Sequence, residues 1–188
     1  MKSGNPAQYV AFMRAINVGG RSLVKMSDLR DAFSAAGCGA VRTYIASGNV
    51  AFECDEGHEA MFERVRDRLR GLLGAEPGVF FRTVRQLERL AAADAFDGHK
   101  PGPEVKLYVA FLDRKPRSVP KFPLRSSKEA LEAIALRHLE VYVVSRRKKN
   151  GFFGFPNNFV EETLGVSATT RNWSTVTKMV EFVRNGPR

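Results

Sequence analysis

The sequence predicts an α+β fold built as duplicated ferredoxin-like plaits (βαββαβ), each followed by an extra helix. Three observations point to it. The run Tyr9-Val10-Ala11-Phe12 recurs as Tyr108-Val109-Ala110-Phe111. The order strand, helix, strand, strand, helix, strand, helix can be read twice along the 188 residues. Asp97-Gly98-His99-Lys100-Pro101-Gly102-Pro103 is the one stretch dense enough in turn formers to separate an N-terminal from a C-terminal half, so the expected subdomains are 1–97 and 104–188.

Residues 9 to 13 are apolar on both faces, as in a strand covered on both sides, and Val18-Gly19-Gly20 ends the run. Ser27 is the expected N-cap of a helix over Asp28–Ala36, with Asp28 and Asp31 near its positive end and Gly37 as its stop. Val41–Ala46 and Val50–Glu53 read as strands about a tight turn at Ser47-Gly48-Asn49. From Glu59 to Leu73 the apolar residues Met61, Phe62, Val65, Leu69, Leu72 and Leu73 recur at helical spacing, and Gly74 closes the helix. Val79–Thr83 is a fourth strand and Gln86–Ala93 a short helix.

After the linker, Val105–Leu112 reads as a strand, and a basic, proline-broken loop runs from Arg114 to Arg125. Ser126 and Glu129 have capping-box spacing, which predicts a helix ending near Ala135. Leu139–Ser145 is the next strand, and Arg146-Arg147-Lys148-Lys149-Asn150-Gly151 is a cationic hairpin tip with an Asn-Gly turn signal. Phe152-Phe153-Gly154-Phe155 can pair back; its rings are expected in the core, with a stacking surface as the alternative. Asn158 and Glu161 repeat the capping-box spacing for a helix to Leu164 closed by Gly165. Ala168–Arg171 is a short strand, and Ser174–Arg184 a last helix anchored by Trp173.

In this alignment Tyr44 matches Tyr142, and Arg82 matches Arg171. Strand alternation separates Val10 and Phe12 from Tyr9, Ala11 and Met13, and Val109 and Phe111 from Tyr108, Ala110 and Leu112. If the more aliphatic faces lie under the helices, all four tyrosines fall on helix-free faces, which either pack away or form an aromatic platform.

The formal net charge of +10 is uneven: residues 1–100 hold 14 Lys/Arg and 12 Asp/Glu, whereas residues 101–188 hold 16 and 8. A basic second half suits an anionic partner, though solubility alone would also explain it. No apolar run nears the roughly 20 residues of a membrane helix, and the first residues lack the apolar segment of a secretory signal. A cytoplasmic location is expected, with Cys38 and Cys54 as free thiols. The histidines His58, His99 and His138 are scattered, so neither a metal nor another cofactor is expected.

Several long motifs resemble a known family. Tyr9 through Gly20, Val41 through Val50, and Leu164-Gly165-Val166-Ser167-Ala168-Thr169-Thr170-Arg171-Asn172-Trp173 through Lys178 are together similar to the bacterial domain-of-unknown-function family sixteen-ninety-seven. The resemblance implies a pair of ferredoxin-like subdomains and supplies no reaction. The family pattern usually has glycine between the arginine and the isoleucine, where this chain has Ala15.

Chemistry could sit in three places. Gly19 and Gly20 can expose backbone N–H groups to an anion, with Arg14, Asn17, Arg21 and Lys25 beside them, or simply form a strand-to-helix turn; the spacing is not that of a Walker loop. Arg171 and Asn172 enter a helix N-terminus, a natural anion site, although Arg171 could equally serve an internal ion pair. Arg146, Arg147, Lys148 and Lys149, with the Arg114–Arg125 loop, supply cations for a nucleic acid backbone. Ser47 has no neighbouring base and reads as a turn residue. The leading expectation is a non-catalytic binder of a polyanion such as nucleic acid. The alternatives are an enzyme acting on a small phosphate- or carboxylate-bearing substrate through Arg14, Asn17 and Arg171, and a protein-interaction adaptor.

Overall fold

The computed structural model describes residues 6–16, 24–55, 57–94 and 96–186. The chain divides into two compact units, Met1–Glu88 with Val180–Arg188, and Arg89–Met179. The first unit carries β1 (Ala7–Met13), α1 (Met26–Ala35), β2 (Gly39–Tyr44), β3 (Asn49–Cys54), α2 (His58–Leu73) and β4 (Val79–Thr83), and α3 (Val84–Ala92) follows. Its antiparallel sheet has the order β2-β3-β1-β4, so the βαββαβ succession closes as a ferredoxin-like plait.

The central strand dictates this arrangement. Val10, Ala11 and Phe12 are wholly buried, so both faces of β1 must be covered. Tyr9, Ala11 and Met13 face α1 and α2, packed with Leu29, Phe33, Phe52, Met61, Val65 and Leu69. Tyr9 stacks on Phe52 at 5.7 Å and meets Phe62 edge-on at 5.2 Å, while Phe62 stacks on Phe81 at 3.9 Å. Each such ring contributes about 1.5–3 kcal/mol by leaving water. The expected assignment of faces is therefore reversed for β1: the tyrosine side lies under the helices. Counting aliphatic residues could not decide this, because neither face of a central strand is polar.

The second unit holds β5 (Val105–Leu112), β6 (Leu124–Ser126), β7 (Leu131–Arg137), β8 (Glu140–Arg146), α4 (Asn157–Leu164) and β9 (Ala168–Asn172), and α5 (Trp173–Arg184) follows. Its sheet runs β6-β7-β8-β5-β9. Here the predicted Ser126–Ala135 helix is wrong. Ser126 Oγ does accept from the Glu129 N–H at 3.4 Å, but the bond closes a hairpin turn between β6 and β7, with Ala130 at φ 53°. Glu, Ala and Leu favour a helix locally. The tertiary setting overrides them: β8 needs a partner on its open edge, and β7 pairs with it from Leu131 to Arg137 while burying Leu131 and Ala133.

That change reassigns the strands. Val141 and Val143 lie opposite Ala110 and Tyr108, as Val50 and Phe52 lie opposite Ala11 and Tyr9, so Leu139–Ser145 matches the third strand of the first unit. Tyr142, opposite Val109, then corresponds to Ala51, opposite Val10, and not to Tyr44. The match of Arg82 with Arg171 holds, since they pair with Val10 and Val109. Tyr108 packs beneath α4 with Val160 and Leu164, so of the four tyrosines only Tyr44 and Tyr142 lie on the faces away from α1, α2 and α4. Both are covered within their own unit, Tyr44 by Phe182 at 5.1 Å and Tyr142 edge-on by Phe96 at 5.5 Å. No aromatic platform forms on these faces.

Two predicted caps also differ. Lys25, not Ser27, is the N-cap of α1, and Ser27 Oγ bonds to Asp28 instead. Helix α4 begins after Pro156 without a side-chain cap, because Glu161 Oε1 accepts from the Ala168 N–H at 2.7 Å. Glycines Gly74 and Gly165 close α2 and α4 in the left-handed conformation, as expected.

The segment between β8 and α4 is held as a strap. Lys148 N–H donates to Phe152 O and Gly151 N–H to Lys148 O, both at 2.8 Å, which closes the Asn150-Gly151 turn. Arg147 bridges Phe153, and Ser145 Oγ donates to Gly154 O at 3.0 Å. Gly154 is seated so closely on the β6–β7 turn that a Cβ would overlap the Glu129 carbonyl oxygen.

Two stability measurements check these local arguments. Ala15 is exposed and has φ 53°, a backbone conformation that favours glycine. Ala15→Gly should raise stability in urea melts by about 1 kcal/mol; a loss would contradict the assigned backbone. Gly154→Ala should lower it by about 1–3 kcal/mol because backbone must move; an unchanged midpoint would contradict the close seating.

Candidate nucleic-acid interface

The cationic tip grows out of the end of β8 and is laced to carboxylates of its own unit. Arg146 Nη2 lies 4.0 Å from Glu132 Oε2, and Arg125 Nη2 lies 2.7 Å from Glu132 Oε1. Arg147 Nη1 meets Glu104 at 3.2 Å, and its Nε donates to Gly151 O at 3.1 Å. Lys148 Nζ meets Glu129 at 3.0 Å. Lys149 is exposed and has no ion pair among the described residues. Six cations, Arg125, Lys128, Arg146, Arg147, Lys148 and Lys149, thus stand against three carboxylates, Glu104, Glu129 and Glu132. A shallow pocket of about 190 Å³ lies between Arg125, Ser126, Glu132 and Arg146.

Beside these cations the strap exposes its rings. Phe152 is 71% and Phe155 58% exposed, which corrects the expectation that places them in the core. Phe153 is half-buried under Lys106, whose Nζ sits 4.4 Å from the ring centroid, and Phe155 meets Tyr108 edge-on at 5.8 Å. The bond of Ser145 and the seat of Gly154 hold the backbone of the strap on which Phe152 and Phe155 are exposed. The pairing carboxylates, Lys106 and the exposure of the rings were missed from sequence. The lone glycine inside an aromatic run was the available signal of close backbone approach.

The loop nearer the start is only partly described: Asn17, Gly19, Gly20 and Arg21 lie outside the described residues. Arg14 is half-buried, its N–H donates to Gly78 O at 2.7 Å, and its side chain lies over Gly78. Lys25 is exposed at the start of α1. Ser47-Gly48-Asn49 forms the β2–β3 turn: buried Asn49 donates to Tyr44 O at 3.0 Å and to Ser47 Oγ at 3.1 Å.

Arg171 is buried on β9, where its Nη1 donates to Thr169 Oγ1 and Thr170 O, both at 3.0 Å, and burial lowers its pKa to about 10. Asn172 is exposed as the last residue of β9. Trp173 is half-buried and packs edge-on against Phe96 at 5.2 Å. The thiols Cys38 and Cys54 are free and buried, and burial pushes that of Cys38 up to about 12. Among the described residues no group of three His, Cys, Asp or Glu could hold a metal, and no helix is long and apolar enough to cross a membrane.

Comparison with solved structures finds the same fold in a conserved bacterial protein from Streptococcus pneumoniae. The match has a TM-score of 0.64 at 18% identity, covering 95% of this chain and 99% of the other. No curated protein matches the sequence. A family described as proteins of unknown function (DUF1697) matches residues 7–142, and the chain belongs to that family.

Proposed function

We propose that this protein binds a polyanion, nucleic acid foremost, through the cationic tip and the β6–β7 turn of its second unit, in the cytoplasm and without catalysis or a cofactor. The observation that supports it is the excess of cations over carboxylates from Arg125 to Lys149, beside exposed rings. The Arg147–Glu104 pair is solvent-exposed, and such a pair is worth about 0–1 kcal/mol, so a phosphate can displace that carboxylate. The two free thiols suit a reducing compartment. The common register of the two sheets supports an internal duplication of the plait. An enzyme using Arg14, Asn17 and Arg171 has less support, because Arg171 donates to acceptors of its own strand.

Fluorescence anisotropy with a labelled single-stranded oligonucleotide across a salt series tests the proposal. Affinity should fall linearly on a log–log plot, and the Arg147→Gln/Lys149→Gln double variant should flatten the slope by about 1.4, roughly 0.7 per lost charge. Wild-type binding no tighter than about millimolar at low salt, or an unchanged slope in the variant, would overturn it.

A further inference from the structure

We infer that Phe152 and Phe155 are base-stacking residues, so that the ligand of the cationic tip is single-stranded nucleic acid; this rests on the polyanion reading above. An exposed ring costs solvation and is ordinarily turned inward, yet here the backbone holds two of them outward. The holding is specific: the Lys148–Phe152 and Gly151–Lys148 bonds close the turn, Ser145 grips Gly154, and only glycine fits against the Glu129 carbonyl. The rings are therefore presented in advance of binding, which removes an ordering cost.

The chemistry of the occupant follows from what flanks the rings. Arg147, Lys148 and Lys149 immediately precede the Asn150-Gly151 turn and Phe152, so a ligand that covers the rings also meets cations. It must combine regularly spaced anionic charge with flat apolar faces. Single-stranded nucleic acid does, because its bases are free to leave the stack and lie on aromatic side chains while phosphates follow the cations. A duplex offers the charge but hides the faces, and heparin offers the charge alone. A protein partner or a second copy of the chain would need carboxylates in place of phosphates. An anionic membrane surface would accept the rings as insertion points.

Anisotropy and competition measurements separate these. The wild-type protein should bind a labelled oligothymidylate at least tenfold tighter than a duplex of the same length. Phe152→Ala and Phe155→Ala should each weaken oligothymidylate binding about tenfold while leaving heparin affinity and the salt slope unchanged. Phe152→Trp should restore binding, with its fluorescence quenched on addition of the oligonucleotide; circular dichroism melts confirm that each variant is folded. Equal affinity for single strand and duplex, or alanine variants that bind like wild type, would overturn the stacking assignment and leave polyanion binding standing. Sedimentation with phosphatidylserine vesicles, without oligonucleotide binding, would overturn both, as would binding of no polyanion at all.

Discussion

Each sheet is organised by a central strand that has no exposed face. In β1 the residues Val10, Ala11 and Phe12 are fully buried, and in β5 the same holds of Val109, Ala110, Phe111 and Leu112. Such a strand must have neighbours on both edges and cover on both sides, and this constraint accounts for β3-β1-β4 in one sheet and the equivalent β8-β5-β9 in the other. An arginine lies opposite a buried valine of each, Arg82 opposite Val10 and Arg171 opposite Val109. Burial of Arg171 is supported by acceptors on its own strand, which is what a buried guanidinium requires.

Most elements were legible because their signals were long and periodic. The helix from His58 to Leu73, the strands Val79–Thr83 and Val105–Leu112, and the glycine stops all follow from local pattern. What failed was the stretch after Ser126, where the hydrogen bond of a capping box exists but serves a hairpin. Its composition says helix, whereas pairing with β8 across the His138-Leu139 turn makes it a strand. The error then propagated into the tyrosine alignment, since Tyr142 changed its partner strand. The face assignment failed for a different reason: Tyr9 and Tyr108 lie under helices because aromatic rings pack there as well as aliphatic chains do.

The candidate site was half legible. Its cations are plain in Arg146–Lys149, and so is the Asn-Gly turn that displays them. Their partial neutralisation by Glu104, Glu129 and Glu132 is not, because these carboxylates come from distant positions in sequence. Nor could composition tell that Phe152 and Phe155 face water, since an aromatic run beside a strand ordinarily belongs to a core. The decisive feature is Gly154, whose missing Cβ lets the strap sit on the β6–β7 turn with its rings outward.

In the proposed complex one surface, the tip and strap of the second unit, engages the polyanion. Amide chemical-shift mapping of the labelled protein during titration with a short oligothymidylate tests this most directly. Shifts should concentrate at Arg125–Ala130 and Arg146–Phe155, with the β2–β3 turn and Lys25 unmoved. Shifts centred on Arg14 to Lys25, or spread evenly over the basic surface, would contradict it.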